Sequence, residues 1–385
     1  MAGRVFKRGS TWSYVVDVGR GSDGERKQRK KGGFATRRDA QRALRELLNT
    51  VDDGSYADPS SLTVGGYLTD RWLPVMQPPR LAASTWASYR YEIGHRAVPA
   101  LGAVKLQQLE PSQLDAFYAR LLREGGAGSK SLSQRTVRYL HTILGRAFKD
   151  AITWGLLSTN PADRATPPTQ RAAERDRAEM RTWTAEQLRA FLDHVAGDRL
   201  FIGWLLAAST GMRRGEVLGL RWDDVDLDNN ILSVRQALVM AGSAVQTSNP
   251  KTPRSRRTID LDTRTVRELL GWRAKQNADR LRWGALWHDH GMVVTREDGT
   301  WVRPDSWTAT FDRHVRRTGL PRLRLHDLRH THATLLLKAG VPPKVVSERL
   351  GHSSVAFTLD TYAHVVPGMQ ADAAARFAKT VFGEP

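Results

Sequence analysis

The sequence predicts a multidomain protein, mainly α-helical with small β elements. It divides into a small β-sheet-plus-helix N-terminal module, a helical bundle and a mixed α/β C-terminal domain. Three observations predict this. At 385 residues the chain is too long for one ordinary domain. Its apolar period changes along the chain, from alternation near the N-terminus to three- and four-residue spacing beyond it. A proline-rich, charged stretch poor in large apolar groups then interrupts the helical pattern over 161–181.

Residues 1–58 form the first module. Thr11-Trp-Ser-Tyr-Val-Val-Asp-Val18 alternates as a half-buried strand does, and Glu25-Arg-Lys-Gln-Arg-Lys-Lys31, ending in Gly32-Gly33-Phe34, reads as a second strand and turn. Thr36 can cap a helix that buries Ala40, Leu44, Leu47 and Leu48. The basic run is either a solvated face or a contact for an anionic partner.

Residues 60–160 read as a helical bundle, with helices expected around Val64–Met76, Ser84–Ala97, Pro111–Arg123 and Ser133–Trp154. Ser84 and Ser133 are the expected N-caps, and Asn160-Pro161 closes the bundle. Residues 161–181 are expected to be a linker that lets two basic domains close around a duplex. Thr184-Ala-Glu-Gln187 is a capping box that opens the last domain, 182–385.

In that domain Leu232-Ser-Val-Arg-Gln-Ala-Leu-Val239 and Arg257-Thr-Ile-Asp-Leu261 read as strands. Between them Gln246-Thr-Ser-Asn-Pro-Lys-Thr-Pro-Arg-Ser-Arg256 is a polar turn carrying Lys251. Helices are expected at Thr263–Arg280, Asp305–Thr318, His326–Ala339 and Pro343–Leu350, near Tyr362, and at Ala371–Val381.

Composition narrows the function. The chain has no cysteine, which excludes disulfides, thiolate zinc sites and cysteine nucleophiles and suits a reducing cytosol. No apolar run approaches bilayer length, and Met1-Ala-Gly-Arg-Val-Phe-Lys7 lacks a signal peptide's apolar stretch, so no membrane partner is expected. A net charge of +19 with a pI near 10.6 implies a polyanionic partner. Lysine and arginine are spread over every segment rather than gathered on one amphipathic helix, which favours a phosphate backbone over a membrane surface. No phosphate-cradling glycine loop supports nucleotide-driven chemistry.

Five residues then stand in order along the last half of the chain. Arg213 sits in Thr210-Gly-Met-Arg-Arg-Gly-Glu216, and His326 and Arg329 in His326-Asp-Leu-Arg329. His352 sits in Leu350-Gly-His-Ser-Ser354, and Tyr362 in Thr358-Leu-Asp-Thr-Tyr-Ala-His364. Metal-free exchange of a phosphodiester needs a nucleophile, cations for the two non-bridging oxygens and a proton donor for the departing 5′ oxygen. A planar guanidinium bridges two phosphate oxygens better than an ammonium can. Glu216 would share a helix face with Arg213 and orient it, while Arg214 would be turned away.

The set resembles the tyrosine recombinases, the phage-integrase family of site-specific DNA recombinases, and the resemblance spans essentially the whole chain. It implies an arm-type DNA-binding module over 1–58, a core-binding domain over 60–160 and a catalytic domain over 182–385. It implies that Tyr362 attacks phosphorus, forming a 3′-phosphotyrosyl bond that stores the energy for rejoining without a cofactor. Arg213 and Arg329 would hold the phosphate, and His326 would donate to it or take the tyrosine proton. His352 would bond a phosphate oxygen, and Lys251 would protonate the leaving oxygen. Arg26, Lys27, Arg29, Lys30 and Lys31, with Arg254, Arg256 and Arg257, are the further cations expected on DNA. The partners implied are double-stranded attachment sites, a homotetramer on DNA and accessory bending or excision factors, within the nucleoid of a bacterial cytosol. A type IB-like topoisomerase and a catalytically silent DNA-binding regulator are the alternatives. A zinc site on His326, His330 and His332 is a rival that leaves Arg213, Arg329 and Tyr362 unexplained.

Overall fold

The computed structural model describes residues 3–20, 25–52, 56–126, 130–175, 180–248, 256–352, 354–362 and 369–383. It is mainly helical with small antiparallel sheets and falls into two compact units, Met1–Ala178 and Glu179–Pro385. No helix among the described residues is long and apolar enough to cross a membrane.

The first unit opens with strands β1 (Gly3–Arg8), β2 (Thr11–Arg20) and β3 (Arg26–Phe34), antiparallel in that order. The sequence reading had assigned no element to β1. Tyr14 and Val16, two apart on β2, bury one sheet face against Leu44 of the helix Arg37–Asp52. Thr36 caps that helix, its hydroxyl accepting from the Asp39 amide at 3.1 Å.

The bundle in the same unit starts with a helix over 64–75, π-helical across Tyr67–Trp72. Its second helix runs over 83–101, with a π-helical stretch at Ile93–Ala97. Helices Pro111–Glu124 and Gln134–Thr153 complete it. The faces meet around Leu68, Trp72, Ile93, Leu114, Leu140 and Phe148. Ser133 caps the last helix as expected, but Ser84 lies inside the second, whose N-cap Ala82 makes no side-chain bond.

The composition of 161–181 misled the reading at its start. Pro161 and Ala162 are buried in the short turn Pro161–Arg164, beneath Asn160, whose amide donates to the Gly145 carbonyl at 3.2 Å. The Thr166 amide bonds Asp115, and the Pro168 carbonyl accepts from Arg138. Backbone docking of this kind needs no large apolar side chain, so hydropathy does not register it.

The second unit begins with the expected capping box, Thr184 and Gln187 exchanging bonds of 3.2 and 2.9 Å. Helices Ala185–His194, Phe201–Thr210 and Pro304–Thr318 pack Phe191, Trp204, Trp307 and Phe311 into one core, with Trp204 stacked on Trp307 at 4.5 Å. The sequence reading assigned no helix to Phe201–Thr210, which is apolar nearly all round and so shows no stripe. Strands β4 (Val225–Asp226), β5 (Ile231–Val234) and β8 (Arg257–Asp260) form one sheet, and β6 (Ala237–Ala241) pairs with β7 (Ala244–Ser248) as a hairpin. The single strand expected over 232–239 is therefore two, broken at Arg235 and Gln236. Helices Thr263–Trp283, Asp327–Lys338, Pro343–Leu350, Val355–Tyr362 and Met369–Phe382 lie where the periodicity places them.

Candidate active site

Two glycines in the left-handed region set the backbone of the site. Gly211, at φ +65°, ends the helix Phe201–Thr210 and turns the chain so that Arg213 becomes the N-cap of the short helix Arg214–Leu218. Glu216 stands three residues on and reaches back, accepting from the Arg213 amide at 2.9 Å and its Nη1 at 2.8 Å. Arg214 points elsewhere, donating to the Pro304 carbonyl and the Thr308 hydroxyl.

Glu216 is only 6% exposed and also accepts from Arg257 Nη2 at 2.8 Å. Burial alone would raise its pKa. The Arg257 bond and charge, with the charge and amide of Arg213, overcome that and hold the carboxyl at about 2. One carboxylate thus fixes two guanidiniums.

The second glycine is Gly351, at φ +67°, which caps the helix Pro343–Leu350. The chain doubles back, the His352 amide bonds the Ser347 carbonyl at 3.0 Å, and His352 emerges just beyond the helix end. That end presents three consecutive carbonyls to three arginines. Arg349 O accepts from Arg257 Nε at 2.7 Å, Leu350 O from Arg329 Nη2 at 2.7 Å and Gly351 O from Arg213 Nη2 at 3.4 Å. Cations are favoured there because the helix C-terminus carries partial negative charge. Arg329 also donates to the Gly211 carbonyl at 2.8 Å, and burial followed by the Arg213 charge pulls its pKa down to about 9.

The imidazoles and the tyrosine close the site. His326 immediately precedes the helix Asp327–Lys338; partial desolvation of the ring, then the Arg329 charge, lower its pKa, although the residue as a whole is exposed. His330, one turn along, lies edge-on to it at 5.4 Å and places Nδ1 2.7 Å from the Tyr362 hydroxyl. His352 bonds the Thr358 hydroxyl at 2.7 Å and lies nearly parallel to the Tyr362 ring, centroids 6.5 Å apart. Burial first, then the arginines, drive the His352 pKa to about 3, so it is a neutral ring. Tyr362, 1% exposed, packs on Ala333, Val346 and Leu350, and burial pushes its pKa up to about 12 against the pull of Arg329.

The structure thus gathers Arg213, Glu216, His326, Arg329, His352 and Tyr362. Lys251 and Arg254 lie outside the described residues. Arg256 is exposed. Arg257 is not a surface contact as expected, since its side chain is 6% exposed and bonded to Glu216 and the Arg349 carbonyl. Arg26 and Lys27 lie on β3, and Lys30 and Lys31 are exposed there. Arg29, also on β3, has its guanidinium engaged by Asp58 at 2.8 Å and Tyr56 at 3.1 Å. From the sequence, His330 enters only the rival zinc set and takes no part in the phosphodiester chemistry; its spacing of four from His326 is the available signal. His332 is buried between the Ala208 carbonyl and Arg349, its pKa pushed by burial to about 3. Among the described residues no group of three or more His, Cys, Asp or Glu is arranged to hold a metal ion.

Residues 181–368 match the model of the phage integrase family, residues 5–51 an arm DNA-binding domain, and residues 66–122 the N-terminal SAM-like domain of phage integrases. Residues 181–368 belong to the phage integrase family. Among its relatives, the tyrosine recombinase XerC-like protein of Caldanaerobacter subterraneus subsp. tengcongensis is 28% identical over 377 residues, covering 93% of each chain. The Tn1549 transposon integrase, solved with a circular intermediate DNA, shares the fold at a TM-score of 0.64 and 21% identity, over 82% of this chain and 100% of that one. A lambda integrase tetramer bound to a Holliday junction does so at 0.55 and 16% identity, over 93% and 94%.

Proposed function

We propose that this phage integrase family member is a site-specific DNA recombinase that integrates or excises a phage or other mobile element through a 3′-phosphotyrosyl intermediate. One observation carries the reading. Arg213, Arg329, His326, His352 and Tyr362, drawn from segments up to 149 residues apart, come together at one site through the carbonyls at the end of the helix Pro343–Leu350 and the imidazole–tyrosine contacts. The two guanidiniums clamp the non-bridging oxygens of the scissile phosphate, and His326 and the neutral His352 complete its hydrogen bonds. Donors fixed in place before charge develops are worth about 10²- to 10³-fold each. Tyr362 Oη attacks phosphorus and the 5′ oxygen departs, protonated by Lys251. The 5′ hydroxyl of a partner duplex then reverses the step.

The substrate is double-stranded DNA at attachment sites. Lys30 and Lys31 of the arm module supply phosphate contacts, and Arg256 adds one beside the catalytic pocket. Exchange between two duplexes requires four active sites, hence a homotetramer. The helix Met369–Phe382 leaves Phe377, Val381 and Phe382 exposed, and this apolar face supports docking on a neighbouring subunit. Accessory bending or excision factors assist, in the nucleoid of a bacterial cytosol.

The test is covalent capture. A pool of nicked duplexes of varied sequence is incubated with the protein in EDTA, and adducts are isolated under denaturing conditions. Wild type should retain a sequence-restricted subset and Tyr362→Phe none. Adducts spread over all sequences, with relaxation of any plasmid, would favour a topoisomerase. Binding without adducts would leave a silent regulator.

A further inference from the structure

We propose that His330 is a catalytic residue of this site, the base that takes the Tyr362 proton as the tyrosine attacks and returns it on rejoining. The inference rests on the reading of Tyr362 as the nucleophile. The family resemblance leaves that proton to His326, but the geometry assigns it otherwise.

The Tyr362 hydroxyl lies 2.7 Å from His330 Nδ1, within proton-transfer distance. His326 is one helical turn earlier, its ring centroid 5.4 Å from that of His330, beside the arginine pair and partly open to solvent. The two imidazoles therefore divide the work by position: His326 faces the phosphate and His330 the nucleophile. Tyr362 needs a base more than an exposed phenol does, because burial raises its pKa to about 12. Among the described residues, the charged and titratable groups near His330 include His326 and Arg329 on its own helix, Tyr362 on the helix Val355–Tyr362, and His352 beyond Gly351.

The step balances without a co-reactant. Tyr362 donates its O–H to Nδ1 of the Nε2–H tautomer. The Oη–P bond forms, the P–O5′ bond breaks, and the 5′ oxygen takes its proton from the general acid, the role the family resemblance gives Lys251. In rejoining, the attacking 5′ hydroxyl surrenders its proton to that acid and His330 reprotonates the departing phenolate.

The experiment is single-turnover adduct formation on the captured nicked duplexes across pH 5 to 9, with wild type, His330→Ala, His330→Gln and His326→Gln. General-base assistance is worth about 10²- to 10⁴-fold, so His330→Ala should cleave at least about 100-fold slower with duplex affinity unchanged. His330→Gln, which keeps a hydrogen bond but cannot take a proton, should be equally slow. The fall in rate at acid pH should vanish in both His330 variants and persist in His326→Gln. Imidazole in the buffer, or a fluorinated tyrosine of lower pKa at position 362, should restore His330→Ala in part. Wild-type rates in His330→Gln would reduce His330 to an orienting contact and overturn the proposal. So would a slow His330→Ala that keeps the acid limb and ignores both imidazole and the fluorinated phenol. An adduct formed by Tyr362→Phe would instead sink the nucleophile assignment itself.

Discussion

Replacing Glu216 by glutamine removes the charge that holds Arg213 and Arg257 together, and the cost can be worked from the site. A fall from an ordinary 4.5 to about 2 corresponds to about 3.4 kcal/mol of folded-state stabilisation, at roughly 1.36 kcal/mol per pH unit. The carboxyl is 8% exposed, so solvent screening discounts this little. Because the folded pKa is depressed, the contribution is complete above about pH 4.5 and is lost as pH falls towards about 2. By pH 3 about 2 kcal/mol of it should be gone. Calorimetry should therefore show the transition of the unit Glu179–Pro385 lowered by about 7–14 °C in Glu216→Gln at pH 7, at ~2–4 °C per kcal/mol for a domain of this size. The gap to wild type should narrow steadily between pH 4.5 and pH 3. A gap below about 1 kcal/mol at pH 7, or one that does not change with acid, would refute the carboxylate as the electrostatic centre of the site.

Three further outcomes follow from the same geometry. Arg329→Ala should slow cleavage at least about 100-fold while duplex affinity stays largely intact; parallel losses of both would remove Arg329 from the clamp. Gly211→Ala places a Cβ 2.5 Å from Leu350 Cδ2 and 2.8 Å from His332 Cδ2 on a backbone at φ +65°. It should cost more in denaturant unfolding than the strain of about 1–3 kcal/mol expected for φ alone. Gly155→Ala, at φ +68° with nothing within 4 Å, isolates that strain. Arg29→Ala should leave the salt dependence of DNA binding unchanged because Asp58 holds its guanidinium. Lys30→Ala and Lys31→Ala should each lower the slope by about 0.9, one phosphate contact apiece.

Much of this was legible because short motifs encode local geometry. Thr184-Ala-Glu-Gln187 specifies its own capping box, and Leu350-Gly-His352 specifies a left-handed helix end that delivers a histidine. Arg213 and Glu216 are three apart, and their contact is local too. What the sequence hid was pairing at long range. Arg257 sits in a run of arginines that reads as a DNA-facing charge cluster, and nothing nearby says that it meets Glu216, 41 residues earlier. Arg29 likewise reads as one cation among five on β3, and only the fold brings Asp58 to it. His330 was half visible: helical spacing puts it beside His326, but its partner Tyr362 is 32 residues away.

The helix end at Pro343–Leu350 explains why separated motifs must act together. Arg257, Arg329 and Arg213 are each oriented by one of three successive carbonyls, 349, 350 and 351, so none of the three is placed independently of that turn. Carbonyl dipoles stabilise the crowded cations without neutralising them, and Glu216 supplies a full negative charge in direct ion-pair contact with two of them. Among the described residues Arg329 hydrogen-bonds the carbonyls of Gly211 and Leu350 and no carboxylate. A buried cation oriented by dipoles alone, with its pKa already pulled down, gains most when an anion arrives. On the proposed reading the scissile phosphate supplies the anion that Arg329 lacks among its described hydrogen bonds, which is why loss of Arg329 should fall on cleavage more than on duplex affinity.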